Sequence, residues 1–160
     1  MTNSTSSSTS TPTTDRIRFW KLAPEVYKAL LSLTTSARQG LDPVLVDLVM
    51  IRASQLNHCA FCIDMHIKDA RKAGESEQRI YLLNAWEEAT GIYTEKEQAA
   101  LALTEAITLL TEGFVPDAVY ERAATHFQDT ELAQLIALIT TINAWNRINV
   151  AVRVPVPGAA

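Results

Sequence analysis

The stretch DPVLVDLVMIRASQLNHCAFCIDMHIKDARKAG, residues 42–74, predicts two consecutive helices and contains both cysteines of the chain. Asp42 is a typical N-cap residue, and Pro43 suits the first position of a helix. Apolar side chains then recur at helical spacing: Val44, Leu45, Leu48, Ile51 and Leu56. We expect a second helix to begin near Cys59 and to stop at Gly74, because glycine commonly follows the last residue of a helix.

Cysteine and histidine side chains fall on one face of this second helix. Side chains three and four positions apart lie on the same side of a helix; Cys59 and Cys62 are three apart, and His66 follows Cys62 by four. At the start of the helix, the dipole and the free N–H groups favour a thiolate on Cys59. His66 can accept a proton from Cys62. The spacing therefore favours a redox-active dithiol.

A zinc site and a plain pair of buried cysteines are the alternatives. The side chains that could bind zinc are Cys59, Cys62 and His66, with His58 or Asp47 as the fourth ligand. Structural zinc sites usually take a second ligand pair from a distant segment, whereas the remaining histidine, His126, stands alone and suits a surface or helix-end position. Cysteine is often buried as a small apolar residue, but no other cysteine occurs in this chain. Neither alternative is preferred to the dithiol.

The size and charge of the chain limit the classes of protein to which it can belong. A chain of 160 residues fits one domain with a single core. Its formal net charge of −4 gives no reason to expect nucleic-acid binding, which usually requires a basic stripe. Hydrophobic residues make up 48% and charged residues 20%, so we expect another copy of the chain to cover part of the surface.

Neither a membrane span nor a signal peptide is expected from the sequence. The most apolar stretch, from Leu132 to Ile142, is interrupted by polar residues and is too short to cross a bilayer. The first residues, MTNSTSSSTSTPTT, have no basic start and no apolar block. In a reducing cytoplasm, two cysteines at this spacing indicate redox or metal chemistry. We therefore expect a cytoplasmic protein without membrane partners.

The remaining sequence predicts an all-α domain of about seven helices. Residues 1–14 form a Ser/Thr-rich segment that we expect to be disordered or to act as an oligomer arm, and residues 15–160 form the domain. Thr94 and Glu97 have the spacing of a capping box. The prolines in VAVRVPV argue against a strand near the end. The other helices are expected at Pro24–Gly40, Ser76–Trp86, Thr94–Leu110, Pro116–Phe127 and Asp129–Val150.

The chain resembles the alkylhydroperoxidase D-like branch of the carboxymuconolactone decarboxylase superfamily. The resemblance is carried by LVDLVMIRASQLNHCAFCIDMHIKDARKAGESEQRIYLL, residues 45–83, in its Arg-Ala-Ser-Gln-x-Asn run, its Cys-x-x-Cys, the following Asp-Met-His and the Ala-Gly-Glu close. WEEATGIYTEKEQAALALTEAIT, residues 86–108, and INAWNRINVAVR, residues 142–153, are similar to later parts of the family pattern. The likeness covers nearly everything after the Ser/Thr-rich segment.

This resemblance implies a helical subunit in a trimeric or hexameric homo-oligomer, acting as a thiol peroxidase without metal or organic cofactor. It implies that Cys62 attacks hydrogen peroxide or an alkyl hydroperoxide, that Cys59 resolves the sulfenic acid to a disulfide, and that His66 belongs to a proton relay. A thiol protein or small thiol of unknown identity would reduce the disulfide. The family's relay glutamate is replaced here by Asp47, which reaches about 1.5 Å less.

The shorter carboxylate leaves a second function open. With Asp47 in the relay position, the protein could instead be an oligomeric redox sensor or small-molecule-binding protein with little peroxidase turnover. Phe61 and Met65 could form an apolar wall that admits an alkyl hydroperoxide, or could pack in the core. For Trp145 to Arg147, core packing beside polar residues at a helix end is favoured over a pocket or subunit contact near the thiols.

Overall fold

The computed structural model describes residues 16–158, so the predicted Ser/Thr-rich segment, residues 1–14, lies outside the described residues. Within the described range the chain forms eight α-helices, one short 3-10 helix and no strand, which confirms the all-α prediction. The helices are α1 Phe19–Leu22, α2 Pro24–Ala37, α3 Pro43–Leu56, α4 Ala60–Lys72, α5 Glu77–Leu82, α6 Glu95–Thr108, α7 Asp117–His126 and α8 Asp129–Val152, with the 3-10 turn Leu83–Ala85 after α5. The expected number was about seven, and the single-turn helix α1 accounts for the difference.

Two predicted helix caps are present. The Asp42 carboxylate accepts hydrogen bonds from the backbone N–H groups of Val44 at 2.9 Å and Leu45 at 3.1 Å, so it satisfies two free donors at the start of α3. At the start of α6, Thr94 and Glu97 exchange the reciprocal hydrogen bonds of a capping box. These local bonds fix where α3 and α6 begin.

A tight turn joins α3 to α4 and places the first cysteine. Asn57 is the C-cap of α3, and His58 follows it in the left-handed region at φ 52°. The backbone N–H of Cys59 then donates to the carbonyl of Ser54 at 3.0 Å, which closes the end of α3. Cys59 is therefore the N-cap of α4, and the cysteine pair lies directly beside the end of α3.

Helix α3 is the centre of the fold. It packs against α4, α6 and α8, and its buried side chains join two apolar clusters. The larger cluster brings together α3, α6, α7 and α8, including Val49, Leu103, Leu135, Leu138 and Ile139. The smaller one joins α3 to α4, α5 and α6 through Leu48, Ile51, Ala70, Leu83 and Leu101. Residues from α3 are buried on both sides, so its position determines where α4 and α8 meet.

Helix α8 runs through the core for 24 residues and ends two residues later than predicted. It is long and apolar enough to span a membrane by length and composition alone, but 44% of its most apolar window is buried inside the subunit. A core helix of a soluble protein has the same properties. Its packing between α2, α3 and α6 accounts for the apolar residues on more than one face.

Buried asparagines hold the second half of α8 against the end of α3. The Asn57 amide donates to Asn143 Oδ1 at 2.9 Å and to Asn146 Oδ1 at 3.0 Å, and Asn146 donates to the Ser54 hydroxyl at 3.0 Å. Asn146 is fully buried, as expected for core packing, and Arg147 donates to the Asn143 side chain. Because buried polar groups need partners, this network fixes the register of α8 beside the cysteines.

Candidate active site

The two cysteines are joined by a disulfide at the start of α4. The Cα atoms of Cys59 and Cys62 lie 5.3 Å apart, and each residue is only 1% exposed. They are the only cysteines in the chain, so the structure represents the fully oxidised protein. The spacing of three residues that suggested a redox pair thus brings the two sulfur atoms within bonding distance.

The two sulfur atoms have different surroundings. Cys62 lines a cavity of about 440 Å³, whereas Cys59 does not. The Asn149 amide donates to Cys62 Sγ at 3.4 Å, and the Trp20 indole N–H donates to Asn149 Oδ1 at 3.2 Å. Because an indole N–H can only donate, it fixes the orientation of the amide and keeps Asn149 Nδ2 towards the sulfur. A hydrogen bond of this kind stabilises a thiolate on Cys62.

Aromatic and aliphatic side chains form most of the cavity wall. Trp145 lies against Trp20 with ring centroids 4.9 Å apart and against Tyr27 at 5.6 Å. The other apolar lining residues are Leu31, Met50, Phe61, Met65 and Val154. Of the two alternatives considered for Phe61 and Met65, core packing or an apolar wall, the structure has both side chains lining the cavity beside Cys62. Trp145 packs against the larger apolar cluster, as predicted, and its ring also lines the cavity, so both alternatives considered for it hold.

His66 lies one helical turn after Cys62 and lines the same cavity. It is 6% exposed, and burial lowers its pKa from 6.5 to about 4. The nearby positive charge of Arg38 contributes to this lowering, and the negative charge of Asp69 opposes it. The imidazole is therefore neutral near pH 7, which is the form that can accept a proton from a thiol.

Asp47 lies near this site but outside the cavity. Its Oδ1 atom is 3.6 Å from Nη2 of Arg38, and its side chain lines a separate depression that includes Glu75. Burial raises the pKa of Asp47, Arg38 lowers it, and the charges of Asp69 and Glu75 raise it. No direct hydrogen bond joins Asp47 to His66 in the part of the chain that the structure describes. Its place in a proton relay stays a prediction.

Four polar or aromatic residues of the site were not found from the sequence. Arg38 and Asp69 line the cavity with His66, Asn149 contacts Cys62, and Trp20 holds Asn149 in place. Asn149 is 87 residues away from Cys62, so no local pattern connects them. The only available signal was the repeat of asparagine every three residues in the final apolar helix, from Asn143 onward.

The described residues contain no cluster of ligands for the zinc site that the sequence left open. Between residues 16 and 158, no three His, Cys, Asp or Glu side chains lie close enough together to hold a metal ion. His58 is exposed in the turn before α4, and His126 is the last residue of α7, as expected for a helix-end residue. Neither of these two histidines lines the cavity at Cys62.

Comparison with known families gives one match over half of the chain. Residues 24–106 match the model of the carboxymuconolactone decarboxylase family. The uncharacterised protein YdfG of Bacillus subtilis is 44% identical over 137 residues, which cover 85% of this chain and 92% of that protein.

Solved structures show the same fold. A protein of unknown function from Agrobacterium tumefaciens, proposed to be the antioxidant defence protein AhpD, has 40% sequence identity and a TM-score of 0.86. That similarity covers 91% of this chain and 99% of the other. The debrominase Bmp8 has 17% identity and a TM-score of 0.76 over 86% of this chain and 74% of its own, which is a likeness of fold alone.

Proposed function

This chain belongs to the carboxymuconolactone decarboxylase family, and we propose that it is a thiol-dependent peroxidase that reduces hydrogen peroxide or alkyl hydroperoxides. The observation that carries the proposal is the bonded pair Cys59–Cys62, with Cys62 at an apolar cavity beside His66. The similarity to an AhpD-type protein at 40% identity supports it. Members of this family are enzymes, and the cysteine pair favours redox chemistry among their reactions.

The two cysteine sulfurs supply the two electrons that reduce the hydroperoxide. The Cys62 thiolate attacks the terminal oxygen of the hydroperoxide, so that an S–O bond forms, the O–O bond breaks and the alkoxide leaves as an alcohol after taking a proton. The Cys59 thiolate then attacks the sulfenic sulfur; the S–S bond forms, the S–O bond breaks and hydroxide leaves as water. An external dithiol reduces this disulfide to two thiols and is itself oxidised to a disulfide.

The neighbouring groups suit these steps. The neutral His66 accepts the proton of the Cys62 thiol and returns it to the leaving alkoxide. Asn149 donates to the sulfur and stabilises its negative charge before attack. Cys59, as the N-cap of α4, lies where the helix dipole favours a thiolate for the second step. Asp47 would act through water or through Arg38, since it has no direct contact with His66.

The proposed enzyme works as a trimer or hexamer in the cytoplasm. Large apolar side chains on α1 and α2 are exposed outside the cavity at Cys62, including Leu22 at 70%, Val26 at 44% and Leu33 at 44%. Burial of such a surface against another subunit is the usual reason for its exposure in a single chain. Light scattering on the purified protein would measure the number of subunits; a monomer would contradict this part of the proposal.

Two variants that each remove one sulfur test the chemistry. Peroxide consumption with dithiothreitol as reductant is expected for the wild type and is expected to be lost in Cys62→Ser. After brief peroxide treatment, mass spectrometry should show that the wild type loses two hydrogens, whereas Cys59→Ser gains one oxygen on Cys62. Equal turnover in Cys62→Ser and the wild type would refute the proposal.

The second candidate, a redox sensor with little turnover, is favoured by the position of Asp47. Asp47 pairs with Arg38, and among the described residues it has no direct hydrogen bond to His66, so the predicted relay carboxylate does not contact the imidazole. The same experiments separate the two functions. Both would form the Cys59–Cys62 disulfide with peroxide, but with dithiothreitol a sensor would consume peroxide only slowly, whereas a peroxidase would turn over rapidly.

A further inference from the structure

A second depression, of about 490 Å³, adjoins the cavity at Cys62 and is strongly basic. It lies where residues 16–21 meet the segment after α8, and its charged lining residues are Arg16, Arg18, Lys21 and Arg153. None of the described residues that line it is acidic. Four exposed cations, with no acidic side chain among the lining residues that the structure describes, are unexpected in a chain whose formal net charge is −4. Such a cluster attracts an anionic group.

The basic depression and the cavity at Cys62 are neighbours that share part of their walls. Trp20 and Val154 line both of them. On the cavity side, Trp20 donates to Asn149, which donates to Cys62 Sγ. Trp20 therefore lines the basic depression and is also joined to the Cys62 sulfur through Asn149. A molecule that lies across Trp20 can contact both sites at once.

We propose that the substrate of Cys62 is an amphiphilic hydroperoxide with one anionic end. Its apolar body would occupy the cavity beside Trp20 and Trp145, and its carboxylate or other anionic group would contact the basic cluster of Arg16, Arg18, Lys21 and Arg153. This inference rests on the proposed peroxidase function and names its substrate class. The bonds formed and broken at Cys62 are those of the peroxidase reaction, and the anionic end takes no part in them.

The two parts of the site contribute differently. The cavity wall is apolar, so burial of the hydrocarbon supplies most of the binding free energy. The cations are exposed to water, where one ion pair contributes little, and several together act mainly on selectivity. Arg16 also donates to the backbone carbonyl of Ala151 at 2.6 Å, which holds the N-terminal segment beside the end of α8. We therefore expect the protein to bind a hydrocarbon chain that ends in an anionic group more tightly than the same chain with a neutral end group.

Binding of simple probes tests this without any turnover. Decanoate, 1-decanol and acetate can each be titrated by calorimetry into the wild-type protein at low ionic strength. We expect decanoate to bind more tightly than 1-decanol, its advantage to shrink with added salt, and acetate to bind too weakly to detect. Equal affinities for decanoate and 1-decanol would overturn the proposal.

Charge variants locate the anionic end. Arg18→Gln combined with Lys21→Gln, and separately Arg153→Gln, are each expected to lower the ratio of decanoate to decanol affinity by about threefold or more. Arg122→Gln, which removes one exposed cation on α7 outside both depressions, is the matched control and should leave the ratio unchanged. An equal loss in the control and in the cluster variants would overturn the proposal, since the effect would then follow from net charge.

Kinetics separate this inference from the proposed function. With a fatty-acid hydroperoxide and its methyl ester, kcat/KM should be higher for the free acid in the wild type and should become similar for both in the cluster variants. Turnover of cumene hydroperoxide without a preference for the acid would retain the peroxidase and refute the substrate class. Tight decanoate binding without any peroxide turnover would refute the peroxidase alone. Binding to anionic vesicles but not to dissolved decanoate would show a membrane-surface patch and refute the inference.

Discussion

Protonation of His66 should destabilise the folded protein in mild acid. The imidazole is 6% exposed, and burial holds its pKa at about 4, below its ordinary value of 6.5. Between these two pH values the unfolded chain binds a proton at His66 that the folded protein does not. The folded state is then at a disadvantage, so this contribution to stability is present above about pH 6.5 and is lost as the pH falls towards 4.

The size of the effect follows from the same two pKa values. A pKa that is 6.5 in the unfolded chain and about 4 in the fold corresponds to about 3 kcal/mol once His66 is fully protonated. At about pH 4.5 the expected loss from this group is about 2.5 kcal/mol. That is a large part of the stability of an ordinary domain, which is about 5–15 kcal/mol.

Urea unfolding of the oxidised protein, followed by tryptophan fluorescence, measures the prediction at about pH 7.5 and about pH 4.5. The comparison is with His66→Gln, which has no titrating group at this position. Asp47, whose pKa is raised, gives the opposite pH dependence, but it is present in both proteins and cancels in the difference. The wild type should lose about 2.5 kcal/mol more than the variant on acidification. Equal losses would refute the assignment of a neutral, buried His66.

Three further predictions concern the neighbours of the cysteines. Asn149→Ala should raise the pKa of the Cys62 thiol in the reduced protein and slow its reaction with peroxide, which the ultraviolet absorbance of the thiolate would show; an unchanged thiol pKa would contradict the role of the amide. Asp47→Asn should reduce turnover less than His66→Gln does, because it has no direct hydrogen bond to the imidazole, and equal losses would place the carboxylate in the relay. Asp42→Ala should cost about 1 kcal/mol in urea unfolding, since it removes the α3 cap, and no measurable change would contradict this.

The helices could be predicted because their signals are local. The Asp42 cap and the capping box of Thr94 and Glu97 lie within a few residues of the bonds they form, and the structure has both. The single turn of α1 was missed because four residues carry no periodicity, and its N-cap has no side-chain hydrogen bond. The helix predicted from Ser76 to Trp86 changes to a 3-10 turn after Leu82. This change was not predicted, because no Gly or Pro marks it in the sequence.

The closeness of Cys59, Cys62 and His66 could be predicted for the same reason, but the cavity beside them could not. Cys59, Cys62 and His66 belong to one helix, so their spacing alone places them together. Trp20 and Asn149 reach this site only because α8 packs along α2 and α3, at separations of more than eighty residues. The neutral state of His66 depends on that same packing, because burial is the first cause of its lowered pKa.

The residues of the site come partly from the segment that matches the family and partly from the segments on either side of it. The family match covers residues 24–106, which include both cysteines, His66 and Asp47. Trp20, Trp145 and the basic cluster lie outside that range, in the segment before α2 and in α8 and its end. The matched part of the chain therefore contains the groups of the proposed sulfur chemistry, while the flanking parts supply Trp20, Trp145, Asn149 and the basic cluster. If the proposed function holds, the cysteine pair sets the kind of reaction, and the flanking segments are the part of this chain where selectivity for the proposed amphiphilic substrate would be changed by mutation.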